Sequence, residues 1–298
     1  NIFASVLRAL GNSRTPLIAM IIAAFINVVL DLVFVAGFNW SVAGAALATV
    51  IAQAFSAFYC FLIVRKIEIV HTDRDDFAKV PGLNRKLFGL GAPILFQDVI
   101  ISVGGLAVQF VINGYGFLFV AGFTATNKLY GVLEMAAISY GYAVVSYVGQ
   151  NLGAGKIDRI RRGILLATGY TCIWCTLNIV TAYTIGDWLV WLVTGSKNPE
   201  VIYNATLYLK VDTLFYYVTA VICIVRNSMQ GLGERIVPLI SSSLEMIGKI
   251  VIAATLVPMF GYPGVIAAEP IVWFIMIIPL LMKILRMPVW KQKNLTVS

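Results

Sequence analysis

Long apolar runs separated by short polar clusters make up most of the chain. Runs long enough to cross the hydrocarbon core of a bilayer occupy residues 17–38, 42–64, 88–112, 117–148, 163–194, 206–228, 238–258 and 263–285. They predict eight membrane-spanning helices. Composition agrees: the chain is 60% hydrophobic and 12% charged, with a mean hydropathy of +0.88. A water-soluble domain of 298 residues with these values would aggregate, so the expected fold class is an all-α polytopic membrane protein.

The connections alternate in basic content. One side collects Arg8, Arg14, Arg65, Lys66, Arg74, Lys79, Arg85, Lys86, Lys156, Arg159, Arg161, Arg162, Arg226, Arg235, Lys283, Arg286, Lys291 and Lys293, whereas the opposite loops hold Lys197. The basic side is expected to be cytoplasmic, which puts both ends of the chain there. The net charge of +8 then follows from loop cations scattered over the surface, and no nucleic-acid partner is expected. Cys60, Cys172, Cys175 and Cys223 all fall within spans, so Cys172 and Cys175 read as small packing residues rather than a redox or zinc pair. The chain begins with Asn1, and its first apolar run, Ile2 to Leu7, is too short to span. It is expected to start inside a helix of a longer protein, without a signal peptide.

Two turns are alike. LRALGNSRTP at 7–16 and MQGLGERIVP at 229–238 each place Gly five residues before Pro, at an offset of 222 residues. The likeness continues from VAGAALA at 42–48 to YPGVIAA at 262–268, which sets Gly44 opposite Gly264. Six spans lie between the copies, and an even number keeps both in the same orientation, as in transporters with two repeats related about the membrane normal. The expected organisation is the end of a first lobe at 1–65, a cytoplasmic linker at 66–86 and a second lobe at 87–298, with about 130 residues of first lobe upstream. His71 with Asp73, Asp75 and Asp76 offers a metal site as an alternative reading of the linker, although a solvated connection explains the same residues. GQNLGAGKIDRIRRG at 149–163 lacks the Gly-Lys-Ser/Thr of a phosphate loop and reads as a cytoplasmic loop.

Asp31 is the residue that most needs an explanation. An Asp at mid-span costs about 2.5–3.5 kcal/mol on insertion scales, and such acids mark ion or substrate paths by default. Asn27 lies four residues before it, on the same helix face. With the turn centred near Trp40, Asp31 is expected level with Thr49, and Asn27 level with Gln53. Such an oxygen-rich set suits a proton or a hard cation such as Na⁺. Thr49 and Gln53 taken singly are equally the kind of residues that hold helices together.

The equivalent hairpin at 238–285 carries Lys249 in place of Asn27, Ala253 in place of Asp31 and Glu269 in place of Thr49, with Glu245 one turn away. Glu245, Lys249 and Glu269 are expected to form structural ion pairs. Asp98, Ser102, Gly105, Gln109 and Asn113 form a polar stripe on one span, and Asn127, Lys128 and Glu134 sit on the next, with Lys128 able to approach Asp98. These residues either line a cavity or hydrogen-bond helix to helix. A membrane-embedded enzyme is not indicated: the spans contain no His, and the chain has neither Gly-x-Ser-x-Gly nor His-Glu-x-x-His.

The segments LRALGNSRTP, INVVLD, VAGAALATV, LGAPILFQ, VINGYGF and VGQNLGAGKIDR resemble, in order, those of the multidrug and toxic compound extrusion (MATE) family. The resemblance covers essentially the whole chain. It implies a twelve-helix exporter of two six-helix lobes, with helices five to twelve complete here. It also implies a multi-pass plasma-membrane protein, in bacteria an inner-membrane one, acting as a monomer without cofactor. Transport would be antiport against H⁺ or Na⁺ of amphipathic, often cationic organic compounds. In that family the first-lobe cation site is similar to Asn-x3-Asp with Thr 18 residues on, the spacing of Asn27, Asp31 and Thr49; a further acid comes from the family's first helix. Second-lobe acids of the sodium-coupled branch would fall near Ile101 and Thr219, where this chain has none. A lipid-linked oligosaccharide or polysaccharide flippase is the alternative, and would favour a strongly basic central cavity.

Overall fold

A computed structural model describes residues 1–70, 80–195 and 198–291. His71, Asp73, Asp75 and Asp76, with the rest of 71–79 in the linker, lie outside the described residues, as do Lys197 and Lys293. The described residues are almost wholly helical: α1 (Ile2–Ala9), α2 (Arg14–Asp31) continued by a π-helical stretch (Leu32–Gly37), α3 (Ser41–Val64), α4 (Leu83–Asn113), α5 (Phe117–Leu133), α6 (Met135–Gly153), α7 (Ile157–Thr194), α8 (Pro199–Gly231), α9 (Ile236–Phe260), α10 (Tyr262–Ile284) and the short α11 (Pro288–Lys291). Among the described residues seven helical spans are long and apolar enough to cross a membrane, and α5 with α6, bent by 42°, brings the count to eight when the pair is taken as one broken span.

The chain divides into two compact units, 1–81 and 82–298. In the first, α1, α2 and α3 close on a small core of Leu7, Ala19, Cys60 and Val64. Most of α2 turns apolar side chains such as Leu17, Phe25 and Val28 outward from this core. In the second unit α8 is the central helix, packed against α5, α6, α7 and α10. Its Leu209, Ala220 and Met229 anchor the main core, which extends to Val190, Val272 and Leu280. The start of α8 is encoded locally: Asn198 accepts the Glu200 amide hydrogen at 2.9 Å, and Pro199 occupies the first turn, where its missing N–H costs nothing.

The two similar turns share one backbone geometry. Gly11 and Gly233 adopt φ of +84° and +83°, a region that Gly enters without steric cost. The amides of Asn12 and Glu234 then donate to the carbonyls of Leu7 and Met229, and those of Gly11 and Gly233 to Arg8 and Gln230. This pattern closes the preceding helix. In the second copy Glu234 also accepts from the amides of Arg235 and Ile236 and pairs with Lys283 at 2.7 Å. Burial alone would push this carboxyl up, but the Lys283 bond and the backbone amides outweigh burial and hold it below its ordinary value. Arg235 reaches back to the Gly89 carbonyl.

Charge marks the loops less sharply than the apolar pattern predicts. Helix α4 begins at Leu83, so Leu83–Lys86 at the end of the expected linker are already helical. The expected loop at 149–163 shrinks to Ala154–Lys156, because α6 runs to Gly153 and α7 starts at Ile157. Likewise α8 starts seven residues before the apolar run does. Helices continue past the hydrocarbon edge into water, where polar residues such as Arg159 and Glu200 cost nothing.

The paired glycines Gly44 and Gly264 mark the tightest points of their hairpins. A Cβ on Gly264 would lie 2.4 Å from the Leu256 carbonyl oxygen and 3.1 Å from the Val257 Cα; on Gly44 it would lie 2.9 Å from the Phe34 Cβ. Gly264→Ala is expected to destabilise the protein by about 1–3 kcal/mol, because it presses on rigid backbone, and Gly44→Ala by less. Thermal denaturation in detergent checks the order; a Gly264→Ala protein melting with the parent would contradict the close approach.

Candidate functional site

In the first unit, Asn27, Thr49 and Gln53 line an open cleft of about 640 Å³ together with Ala23, Ser56 and Cys60. Asn27 Nδ2 donates to Thr49 Oγ1 at 3.4 Å, and Thr49 Oγ1 donates to the Ala45 carbonyl at 2.9 Å. The expected register is therefore off by one turn: Asn27, not Asp31, stands opposite Thr49. The π-helical stretch after Asp31 shifts the register in this direction, since its wider turns fit more residues into the same length. Asp31 does not line the cleft. It is half-buried at the α–π junction, and its Oδ1 is shielded from solvent with no hydrogen-bond partner among the described residues.

The second unit encloses a cavity of about 630 Å³ between α4, α5, α6, α8, α9 and α10. Of the expected residues, Asp98, Gln109, Asn127, Glu134, Glu245, Lys249 and Glu269 line it, whereas Ser102, Asn113 and Lys128 do not. Ser102 donates to the Asp98 carbonyl on its own helix, and Asn113 accepts from Gln109 at 2.8 Å. Lys128 is exposed and makes no ion pair with Asp98 among the described residues. Asn127 and Lys128 are consecutive on a helix and point about 100° apart, so both cannot face one cavity.

An alternating ion chain crosses the cavity wall. Lys249 Nζ lies 3.1 Å from Glu245 Oε1 and 3.0 Å from Glu269 Oε1, and Arg226 Nη2 lies 3.6 Å from Glu245 Oε2. Arg226 was expected among the loop cations, but α8 extends to Gly231 and carries it inward. The Lys249–Glu269 contact joins the positions equivalent to Asn27 and Thr49, so both units bring the same pair together with different chemistry. Ala253, in the place of Asp31, is buried at 2% exposure.

Glu134 sits at the break between α5 and α6. Gly131 stands in the last turn before the break. Across it, Trp174 Nε1 and Asn178 Nδ2 of α7 donate to the Leu133 carbonyl at 2.7 and 2.9 Å. These donors satisfy a group that would otherwise be stranded at membrane depth. Residues missed at the cavity include Gln97, which accepts from Gln230 Nε2 at 3.1 Å, and the aromatic wall of Phe123, Tyr130, Tyr142 and Trp273. Gln230 precedes the glycine turn and reads as loop in the sequence. Asp212 on α8, buried at 1% exposure, was also missed, although an acid inside an apolar run is the same signal that singles out Asp31.

Residues 93–255 match the MatE family. The probable multidrug resistance protein YpnP of Bacillus subtilis (strain 168) is 30% identical over 79% of this chain and 52% of its own length. The multidrug export protein MepA of Staphylococcus aureus (strain MW2) is 23% identical over 87% and 57%. The chain thus spans about half the length of these relatives. A MOP superfamily transporter from Pyrococcus furiosus superposes with a TM-score of 0.88 at 21% identity, covering 98% of this chain and 66% of that one. The Vibrio cholerae MATE transporter VcmN in its bent form gives a TM-score of 0.80 at 18% identity, covering 94% and 64%. The fold is that of MATE transporters, and with more than half of its residues matched, the chain belongs to the MatE family.

Proposed function

We propose that this chain is part of a secondary active exporter that expels amphipathic organic compounds by antiport against H⁺ or Na⁺, with the ion bound around Asp31 and the Asn27–Thr49 pair. The observation that carries the reading is the shielded, unpartnered Asp31 oxygen one turn from Asn27. A carboxylate so placed is satisfied when a cation binds. Relatives carry the names multidrug resistance and multidrug export proteins, which supports an organic substrate. Coupling needs only that the ion prefer one conformation, and rocking of two lobes, 1–65 and 87–298 joined by the linker, would supply the states. The protein would sit in the plasma membrane as a monomer, with both ends of this chain cytoplasmic.

The second-unit cavity favours cationic substrates. Four carboxylates, Asp98, Glu134, Glu245 and Glu269, face two cations, Arg226 and Lys249, and the aromatic wall offers cation–π faces. A flippase for anionic lipid-linked sugars would want the reverse balance. The full-length parent protein in proteoliposomes, loaded with a fluorescent organic cation, provides the test. A pH gradient or a Na⁺ gradient, imposed separately, is expected to drive export that collapses with the matching ionophore. Export at the same rate without either gradient would remove the antiport reading.

A further inference from the structure

Asp212 lies inside the second unit, apart from the ion-paired chain, and nothing described so far gives it a role. It is 1% exposed, and both of its carboxylate oxygens are buried without a hydrogen-bond partner among the described residues. An ionised carboxylate left so costs several kcal/mol, and native proteins do not leave such groups uncompensated. Its neighbours on α8 indicate how compensation reaches it. Tyr216 is one turn on and Thr219 nearly two, on the same face. Their hydroxyls are also buried and unpartnered, and Thr219 lines the cavity. The three side chains follow one another in a file along one face of α8, from the buried acid to the residue that lines the cavity. At the other end Tyr208, one turn before Asp212, closes the file with Phe123 and Tyr262, at ring-centroid distances of 6.1 and 6.4 Å.

We propose that Asp212 is a proton-binding site, loaded and unloaded from the cavity through Tyr216 and Thr219. A hard metal cation needs a shell of several oxygens, whereas the surroundings of Asp212 are largely aromatic, and no group of three or more His, Cys, Asp or Glu able to hold a metal occurs among the described residues. A proton needs no such shell. The step is a single transfer: hydronium in the cavity becomes water, and one O–H bond forms on the carboxylate. The charged groups that face the cavity are Asp98 of α4, Glu134 at the α5–α6 break, Glu245 and Lys249 of α9 and Glu269 of α10, with Arg226 on α8 itself. On α7, Cys175 donates to the Tyr216 carbonyl, and the tyrosines of α6 are exposed. A cation entering the cavity would favour the ionised form of Asp212, so substrate and proton would exclude each other, as antiport requires; this consequence rests on the exporter reading, while the proton site itself does not.

Infrared spectroscopy of the full-length parent protein in lipid tests the site directly. At neutral pH without Na⁺, a protonated-carboxyl C=O band is expected that shifts in D₂O, disappears in Asp212→Asn and persists in Asp31→Asn. Thr219→Val or Tyr216→Phe is expected to slow deuterium exchange of that band. If Asp212→Asn fails to fold, ¹³C-aspartate labelling of the Asp31→Asn protein replaces it, and a protonated aspartyl carboxyl must remain. A band unchanged by Asp212→Asn overturns the proposal. Loss of coupling in Asp31→Asn with the band intact would leave it standing.

Discussion

Replacing Asp31 with Asn in the full-length parent protein is expected to abolish ion-driven efflux while leaving expression and membrane insertion near the parental level. The two halves of this expectation come from one cause. Asp31 costs about 2.5–3.5 kcal/mol to place in a span, so the neutral amide removes an insertion penalty rather than a stabilising contact. In the folded protein its Oδ1 has no partner to lose among the described residues. What disappears is the negative charge, and with it the reason for a proton or Na⁺ to prefer one conformation of the carrier. A ligand with equal affinity for two states shifts neither, however tightly it binds. Substrate binding should survive, because the aromatic and acidic wall of the second-unit cavity is untouched. Uphill export at the parental rate by this variant would sink the coupling role; loss of both export and protein would mean that Asp31 is structural.

Much of this organisation was legible in the sequence because it rests on patterns that a bilayer enforces. Apolar length revealed the spans, including the one broken at Glu134. The internal repeat revealed the matching turns at Gly11 and Gly233, and the tight glycines Gly44 and Gly264. Two kinds of feature escaped. The first depends on register: Thr49 meets Asn27 rather than Asp31, the π-helical stretch after Asp31 shifts the hairpin in that direction, and no residue at 32–37 announces a change of helix type. The second depends on where helices end. Arg226 and Gln230 adjoin a loop motif, and their basic and polar character reads as solvent exposure, yet an extended α8 carries both into the cavity. Helical direction decided Lys128 against Asn127, which adjacency in sequence cannot do. At the bend by Glu134, the Leu133 carbonyl is held by donors 41 and 45 residues further on, contacts that local sequence does not reveal.

Lys249→Met is expected to be the most destabilising single change in the second unit. Removing one partner of a buried pair leaves an uncompensated charge and costs about 3–5 kcal/mol, whereas replacing the whole pair with neutral groups is often close to neutral. The ion chain makes this asymmetric. Without Lys249, Glu245 still has Arg226 at 3.6 Å, but Glu269 keeps no cation among the described residues. The melting temperature in detergent should fall on the order of 10 °C. Glu269→Gln alone should cost less, since Lys249 retains Glu245 at 3.1 Å, and the Lys249→Met, Glu269→Gln double variant should recover most of the loss. That non-additivity separates two uses of the chain. If the ion chain is a brace, the double variant folds and exports substrate at a gradient-driven rate close to the parent; if it holds a coupling ion, the double variant folds but loses gradient dependence. The Asn27–Thr49 contact, which occupies the same positions in the first unit with neutral side chains, makes the brace the expected outcome: these positions join helix to helix in both units, and the proposed coupling carboxylate, Asp31, has in the second unit only Ala253 as its counterpart.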